Sequence, residues 1–222
     1  LQNTRMENEV RIKRILAAML VLMVTLCGCQ AKEESNSENT EISEKKIQIG
    51  MSFDSFVIER WQRDRDIFVS LVKDMGAEVN VQNANGDINE QIKQIDYLIE
   101  KGMDAIVIVC IDSDSLSESV EKAKDAGIKV IAYDRLIHNA NVDMYISFDN
   151  YEVGKLMGEA IVGGSEPVEK VVMIGGNIAD NNVTQVEAGF VDIMTKHNVE
   201  IVGQTHCDGW KAELGGDYIY SN

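Results

Sequence analysis

Residues 103–135 read MDAIVIVCIDSDSLSESVEKAKDAGIKVIAYDR. The run at 103–111 is continuously apolar, which is typical of a strand buried on both faces of a parallel sheet. Apolar residues then recur at helical spacing as far as Gly127, and glycine commonly follows the last residue of a helix. A second apolar run at 128–133 comes next. Strand, helix and strand in this order predict a βαβ unit, and hence a parallel sheet with helices on its faces.

The same alternation continues on both sides of this unit. Upstream, two more strand–helix pairs are expected between residues 47 and 102. Downstream, a strand at 143–149 follows without a helix before it, and a second strand–helix series begins at Lys170. We therefore predict an α/β protein with two Rossmann-like parallel-sheet lobes joined by a hinge, the first at 47–149 and a partial second at 150–222.

The first 46 residues have the pattern of an export leader and a tether. Basic residues precede an apolar run at 15–26, which is shorter than the roughly 20 residues that span a bilayer and suits a signal-peptide core. The following Cys29 stands in a context that resembles the lipobox of bacterial lipoproteins. This predicts a lipoprotein signal peptide at 1–28 and lipidation of Cys29, with an ordinary secretory signal as the alternative. Residues 29–46 are almost free of apolar side chains, which predicts a disordered tether.

Composition excludes partners more clearly than it identifies one. The formal net charge of −16 argues against nucleic acid and against an anionic membrane surface, although acidity could also serve solubility alone. Cys110 and Cys207, both in predicted strands, are expected to be buried free thiols rather than a disulfide. The sequence has no G-x-G-x-x-G, phosphate loop, nucleophile elbow or His/Cys metal spacing, so neither an enzyme nor a cofactor or metal is expected.

Polar and indole side chains follow the strands at the positions where open parallel sheets bind ligands. These side chains are Asp54, Ser55, Arg60, Trp61, Asn83, Asn85, Asp112, Asp134, Arg135, Asp180, Asn181, Asn182, Asp208 and Trp210. The set suits a sugar, because each hydroxyl both donates and accepts hydrogen bonds and the C–H faces of the ring pack against indole. Alternatively, Arg60 could be a solvated helix residue and Trp61 a core residue. Asp134 and Arg135 could form a local turn, and Asp180 could only cap the next helix.

Six segments, in order, resemble the D-xylose-binding proteins of the ribose/galactose-type periplasmic binding family. They are ERWQRDRD at 59–66, NANG at 83–86, AYDR at 132–135, YISFDN at 145–150, DNN at 180–182 and DGW at 208–210. The resemblance covers roughly residues 46–210 and implies the periplasmic-binding-protein type I fold. It implies a hinge at Asp149 and Asn150. It also implies that the sugar is held by Arg60, Asp134 and Arg135 from the first lobe and by Asp180, Asn182 and Trp210 from the second, with Trp61 beside the ring.

The resemblance implies a function as well. A protein of this kind captures a monosaccharide, here D-xylose, outside the cytoplasm and delivers it to an ABC permease, while its lipid holds it at the membrane. The alternative is a sensor that presents xylose to a membrane histidine kinase or chemoreceptor. After Trp210 the sequence departs from the family pattern, which predicts a C-terminal truncation, an incomplete second lobe and weak sugar binding.

Overall fold

The computed structural model describes residues 45–222. The predicted signal peptide, the predicted lipidation site Cys29 and the predicted tether up to residue 44 lie outside the described residues. Among the helices of residues 45–222, none combines the length and the hydropathy that a membrane span requires.

The first half of the described chain is built on a parallel sheet. Its strands are β1 (Gln48–Phe53), β2 (Glu78–Asn83), β3 (Ala105–Ile108), β4 (Lys129–Tyr133) and β5 (Met144–Ile146). Within residues 45–222 these five strands lie in the order β2-β1-β3-β4-β5, and each neighbouring pair is parallel. From β1 the chain first goes to β2 on one side of it and then crosses to β3 on the other side, from which β4 and β5 continue. Such a reversal opens a crevice beyond the carboxyl ends of the strands.

Helices cover both faces of this sheet, as the βαβ pattern predicts. They are α1 (Glu59–Asp74), α2 (Ile88–Glu100) and α3 (Ser117–Asp125). Strand β3 shows why its sequence is continuously apolar. Ile106 and Ile108 belong to one buried cluster, whereas Val107 belongs to a second cluster with Phe53 and Trp61. Because successive side chains of a strand point to opposite faces, both faces of β3 are core.

The second half of the described chain has its own sheet and core. Its elements are α4 (Asn150–Val162), β6 (Lys170–Gly175), α5 (Asn181–Lys196), β7 (Glu200–His206), a 3₁₀ turn (Asp208–Trp210) and α6 (Ala212–Ser221). In the described part of the chain, β6 and β7 form a two-stranded parallel sheet. Met173, Phe190 and Met194 are the centre of its core. Both halves belong to one compact unit, Lys46–Asn222.

The predicted α/β fold is confirmed, and the differences are at the ends of elements. The predicted strand at 103–111 is too long, because the chain leaves the sheet after Ile108. Cys110 and Cys207 therefore follow strands β3 and β7 instead of lying within them. Both are buried and free, as expected, and burial raises the pKa of the Cys110 thiol to about 12. Helix α6 has no counterpart among the predicted elements.

Candidate functional site

A cavity of about 570 Å³ lies between the carboxyl ends of the first sheet and the elements of the second half. The loops after β1, β4, β6 and β7 converge on it. Every residue predicted to hold the sugar lines this cavity, namely Arg60, Trp61, Asp134, Arg135, Asp180, Asn182 and Trp210. Side chains that are up to 150 positions apart in the sequence thus face one space.

Arg135 is the central group of the cavity, and its side chain is 1% exposed. Nη1 donates to Oδ2 of Asp54 at 2.7 Å and to the carbonyl oxygen of Cys110 at 2.8 Å. Nε lies 2.7 Å from Oδ2 of Asp180, an ion pair in which the N–H does not point along the line of a hydrogen bond. Nη2 is buried without a partner in the described residues. Arg135 therefore ties the first half of the chain to the second and still has a donor to offer.

Two indole rings flank this guanidinium group. The Arg135 Cζ atom lies 5.6 Å from the ring centroid of Trp61 and 5.7 Å from that of Trp210. These are cation–π distances, at which the negative faces of the rings stabilise the charge. The Nε1 atoms of both indoles are buried and have no hydrogen-bond partner among the described residues. The cavity wall therefore combines apolar ring surface with unpaired donors.

Asp134 links the two halves of the chain a second time. Its backbone has φ 66°, in the left-handed region that few residues other than glycine adopt. Its carboxylate accepts from Nη2 of Arg60 and, at 2.9 Å, from Nδ2 of Asn182. Its carbonyl oxygen accepts from Oγ of Ser147 at 2.6 Å. The strained backbone is held by contacts on both sides, which is typical of a site residue whose direction matters.

Arg60 and Trp61 line the cavity, and each also has part of its alternative role. Arg60 is partly solvated, and Trp61 is a core residue. Arg60 is half-buried, and its Cζ atom stacks 4.0 Å from the centroid of the Trp61 ring. Trp61 is 2% exposed and packs against Phe53 and Tyr133, so it is a core residue that also lines the cavity. Its position beside any ligand is consequently fixed by the core of the first sheet.

Asp180 caps a helix and also lines the cavity. It is the N-cap of α5, where its side chain accepts from the backbone N–H of Asn182 at 3.0 Å, and it also pairs with Arg135. Burial raises the pKa of Asp180 above its usual value, and the Arg135 charge opposes that rise. Burial raises the pKa of Asp54 in the same way, again against the effect of Arg135. The Arg135 charge thus lowers the pKa of both carboxylates against the effect of burial.

The Trp210 ring fits into the cavity because Gly176 has no side chain. A Cβ atom at Gly176 would overlap the six-membered ring of the indole, so only glycine leaves room for the ring there. Trp210 itself has φ 60°, an unusual conformation for so large a residue. The 3₁₀ turn and Gly176 together orient the ring toward Arg135.

The sequence of this chain matches a known protein family. The family model described as "periplasmic binding protein domain" matches residues 49–219. The chain belongs to the periplasmic binding protein family. Its fold is that of the type I periplasmic binding proteins, with strands and helices alternating around parallel sheets.

Individual relatives of this periplasmic binding protein are sugar-binding. It is 41% identical over 209 residues to the D-xylose-binding periplasmic protein of Escherichia coli. The aligned residues are 92% of this chain and 59% of the relative. It is 40% identical over 195 residues to the D-xylose-binding periplasmic protein of Haemophilus influenzae, over 86% of this chain and 57% of the relative. The chain thus spans less than two thirds of the length of either relative.

A solved structure adds a three-dimensional match. It is an ABC transporter solute-binding protein from Clostridium phytofermentans with bound β-D-glucose. The TM-score is 0.65 and the identity 34%, with 70% of this chain and 51% of the other chain covered. The proteins compared are described as binding proteins, and the two D-xylose-binding relatives are named as periplasmic.

Some strand-end residues of this periplasmic binding protein do not reach the cavity. Asn83 and Asn85 hydrogen-bond to one another, and the Asp112 side chain accepts from the N–H of Asp114. Asp208 begins the 3₁₀ turn outside the cavity. The expectation that all strand-end polar residues face one cleft is wrong for these four residues, because each lies in a loop that turns away and uses its side chain locally or at the surface. It is also wrong for Asp54, Ser55 and Asn181, which do not line the cavity.

The cavity is also lined by residues that were not predicted to hold the sugar. Phe148 and Asn150 come from the predicted hinge, where the adjacent Asp149 caps α4 by accepting from the N–H of Glu152. Glu187 from α5 lines the second half and pairs with His206 at 2.7 Å. Helical spacing alone gave no signal for Glu187, whose direction depends on how α5 packs. Within residues 45–222, no group of three or more His, Cys, Asp or Glu side chains is arranged to hold a metal ion.

Proposed function

We propose that this chain binds D-xylose outside the cytoplasm and, in the whole protein, delivers it to an ABC importer. The observation that carries the proposal is the convergence of Arg60, Asp134, Arg135, Asp180 and Asn182 with two indoles on one cavity. The names of the two curated relatives, both D-xylose-binding, support the choice of sugar. The description of the Clostridium protein as an ABC transporter solute-binding protein supports import over sensing.

The hydrogen-bonding groups of the cavity complement a polyol. Arg135 Nη2 and both indole Nε1 atoms are buried donors without partners in the described residues, and Oδ1 of Asn182 is a buried acceptor in the same condition. A buried unpaired polar group costs about 1–3 kcal/mol, which a sugar hydroxyl would recover by pairing with it. Hydroxyls donate and accept at once, so they fit a mixed set of this kind.

The charges of the site favour a neutral ligand. Arg60 and Arg135 are paired with the carboxylates of Asp134, Asp54 and Asp180. Because both cations are already paired with carboxylates, an acidic ligand would add a negative charge that has no unpaired cation in the site. Hydrogen bonds from sugar hydroxyls to these charged groups would each contribute about 1.5–3 kcal/mol.

In this proposal each half of the chain holds one side of the sugar. Arg60, Asp134 and Arg135 bind from the first lobe, and Trp61 supports one face of the ring. Asp180, Asn182 and Trp210 bind from the second lobe. The segment at Asp149 and Asn150 is the hinge about which the lobes close. The protein acts by binding alone, without catalysis, cofactor or metal.

Isothermal titration calorimetry of the purified chain tests the ligand. We expect D-xylose to bind about tenfold or more tightly than D-ribose or D-glucose, since one misplaced or extra hydroxyl leaves a buried group unpaired. L-xylose is the matched control, because it has the same groups in mirror-image positions. Heat with D-glucose alone would reassign the sugar, and no heat with any sugar would refute sugar binding by this chain.

We also propose that Cys29 carries the lipid that holds the protein at the membrane, as the leader pattern indicates. Changing Cys29 to serine is expected to abolish incorporation of labelled palmitate and to release the protein from the membrane fraction. Cys207→Ser is the matched control, because that thiol is buried in the folded part. Labelling that persists in the Cys29 variant would contradict the anchor.

A further inference from the structure

A second set of contacts joins the two halves outside the cavity. Ser113 lies in the loop after β3, is buried, and does not line the cavity. Its backbone N–H donates to the carbonyl oxygen of Ala179 at 3.0 Å, and its Oγ accepts from the N–H of Asn181 at 3.1 Å. Both partners belong to the segment that begins α5. A serine of the first sheet thus makes two hydrogen bonds to the second half.

These bonds complete the cap of a helix. The first N–H groups of a helix have no acceptor within it and need one from elsewhere. In α5 the N–H of Asn182 bonds to the Asp180 side chain, whereas the N–H of Asn181 bonds to Ser113 across the two halves. If the halves separated, Asn181 would lose this acceptor and Ser113 would lose both partners.

His138, in the loop after β4, adds a third connection. Its backbone N–H donates to the carbonyl oxygen of Ser113 at 2.7 Å, and its Nδ1 lies 2.8 Å from Oδ1 of Asp114. Its Nε2 lies 3.2 Å from Oδ1 of Asn181 in the second half. A charged ring donates to both oxygens. A neutral ring keeps both contacts if the Asn181 amide turns over. The Asn181 Nδ2 atom, which is buried without a partner among residues 45–222, then donates to Nε2 of His138.

We propose that Ser113, His138 and Asn181 form a latch between the two lobes that stabilises the closed arrangement and lengthens the time a ligand stays bound. The proposal rests on the proposed function, since a residence time requires a ligand. The latch residues do not contact the cavity, so they act on the balance between open and closed forms rather than on the sugar. Any interaction made only in the closed form shifts that balance toward closure.

The test compares Ser113→Ala and His138→Ala, singly and together, with wild type. We expect D-xylose to dissociate about fivefold faster for each side-chain hydrogen bond removed, measured by stopped flow. Ser115→Ala and His197→Ala are the matched controls, because both side chains are exposed and neither lies in the latch. Both controls should release the sugar at the wild-type rate.

A second measurement needs no sugar. Without ligand, hydrogen exchange of residues 177–183 should be about fivefold faster in Ser113→Ala and in the double variant than in wild type and the controls, because the Asn181 N–H then loses the Ser113 Oγ as its acceptor. If wild type binds no sugar, the proposed function fails and this measurement alone decides the latch. Equal exchange in variants and controls would overturn the latch. Faster exchange with unchanged sugar dissociation would overturn its effect on residence time.

Discussion

Replacing Arg135 with alanine is expected to weaken D-xylose binding at least about a hundredfold. The change removes the donor at the centre of the cavity, the cation between the two indoles and the partner of Asp54 and Asp180. Truncating one member of a buried charge pair typically costs about 2–5 kcal/mol, because the other member is left unpaired. Calorimetry with D-xylose measures the loss. Affinity within threefold of wild type would remove Arg135 from the site.

The control for this variant is Arg63→Ala, which removes an exposed arginine of helix α1. Arg135→Ala should also lower the free energy of unfolding by about 3–5 kcal/mol, as breaking a buried ion pair does. Binding must therefore be measured well below the midpoint of its thermal unfolding. Arg60→Ala is a second variant with a smaller stability cost, because Arg60 is 37% exposed, and it should also weaken binding.

The stability defect of Arg135→Ala should depend on pH in a defined direction. Burial already raises the pKa of Asp54 and Asp180, and the Arg135 charge opposes that rise. Without Arg135 their pKa values rise further, so the folded protein binds more protons than the unfolded chain between the ordinary Asp pKa of 3.8 and the new pKa. The defect relative to wild type should be smallest near pH 4 and should grow as the pH rises through the raised pKa.

The second large effect is expected from Gly154→Ala, which should lower the free energy of unfolding by about 3 kcal/mol or more. Helices α4 and α5 cross so closely that a Cβ atom at Gly154 would overlap the carbonyl oxygen of Val186. Gly189 meets the backbone of Tyr151 in the same way from the other helix. Backbone atoms cannot rotate aside as a side chain can, so the helices must separate.

Thermal unfolding measures this cost, since about 1 kcal/mol shifts Tm by roughly 2–4 °C in a protein of this size. Gly216→Ala in α6 is the matched control, because its Cβ would meet nothing within 4 Å. The control should be neutral or stabilising by about 0.5–1 kcal/mol. Equal Tm values for the two variants would show that the crossing tolerates a methyl group. Because α5 carries Asn182, the separation should also weaken its bond to Asp134 and hence sugar binding.

Much of the site was predictable because its residues are strand-end residues. Parallel strands end at one edge of their sheet, so Arg135 after β4 and Asp180 after β6 could be proposed from local patterns alone. The same rule also selected Asn83 and Asp112, which turn away from the cavity. A strand end places a residue at an edge, but the path of the following loop decides where its side chain points.

The amino-acid sequence by itself determined the alternation of strands and helices and the burial of β3 on both faces, because these depend on local apolar periodicity. It also predicted the two free thiols, because Cys110 and Cys207 belong to different predicted lobes. Only the tertiary structure decided that Asp54 and Asp180 share one arginine, that Asp134 reaches Asn182, and that Ser113 completes the cap of α5. Those contacts join residues 45 to 81 positions apart. The contact of Asp54 with Arg135 depends on how two loops of one sheet meet, and the other contacts depend on how the two halves pack. No local pattern of side chains encodes either relation.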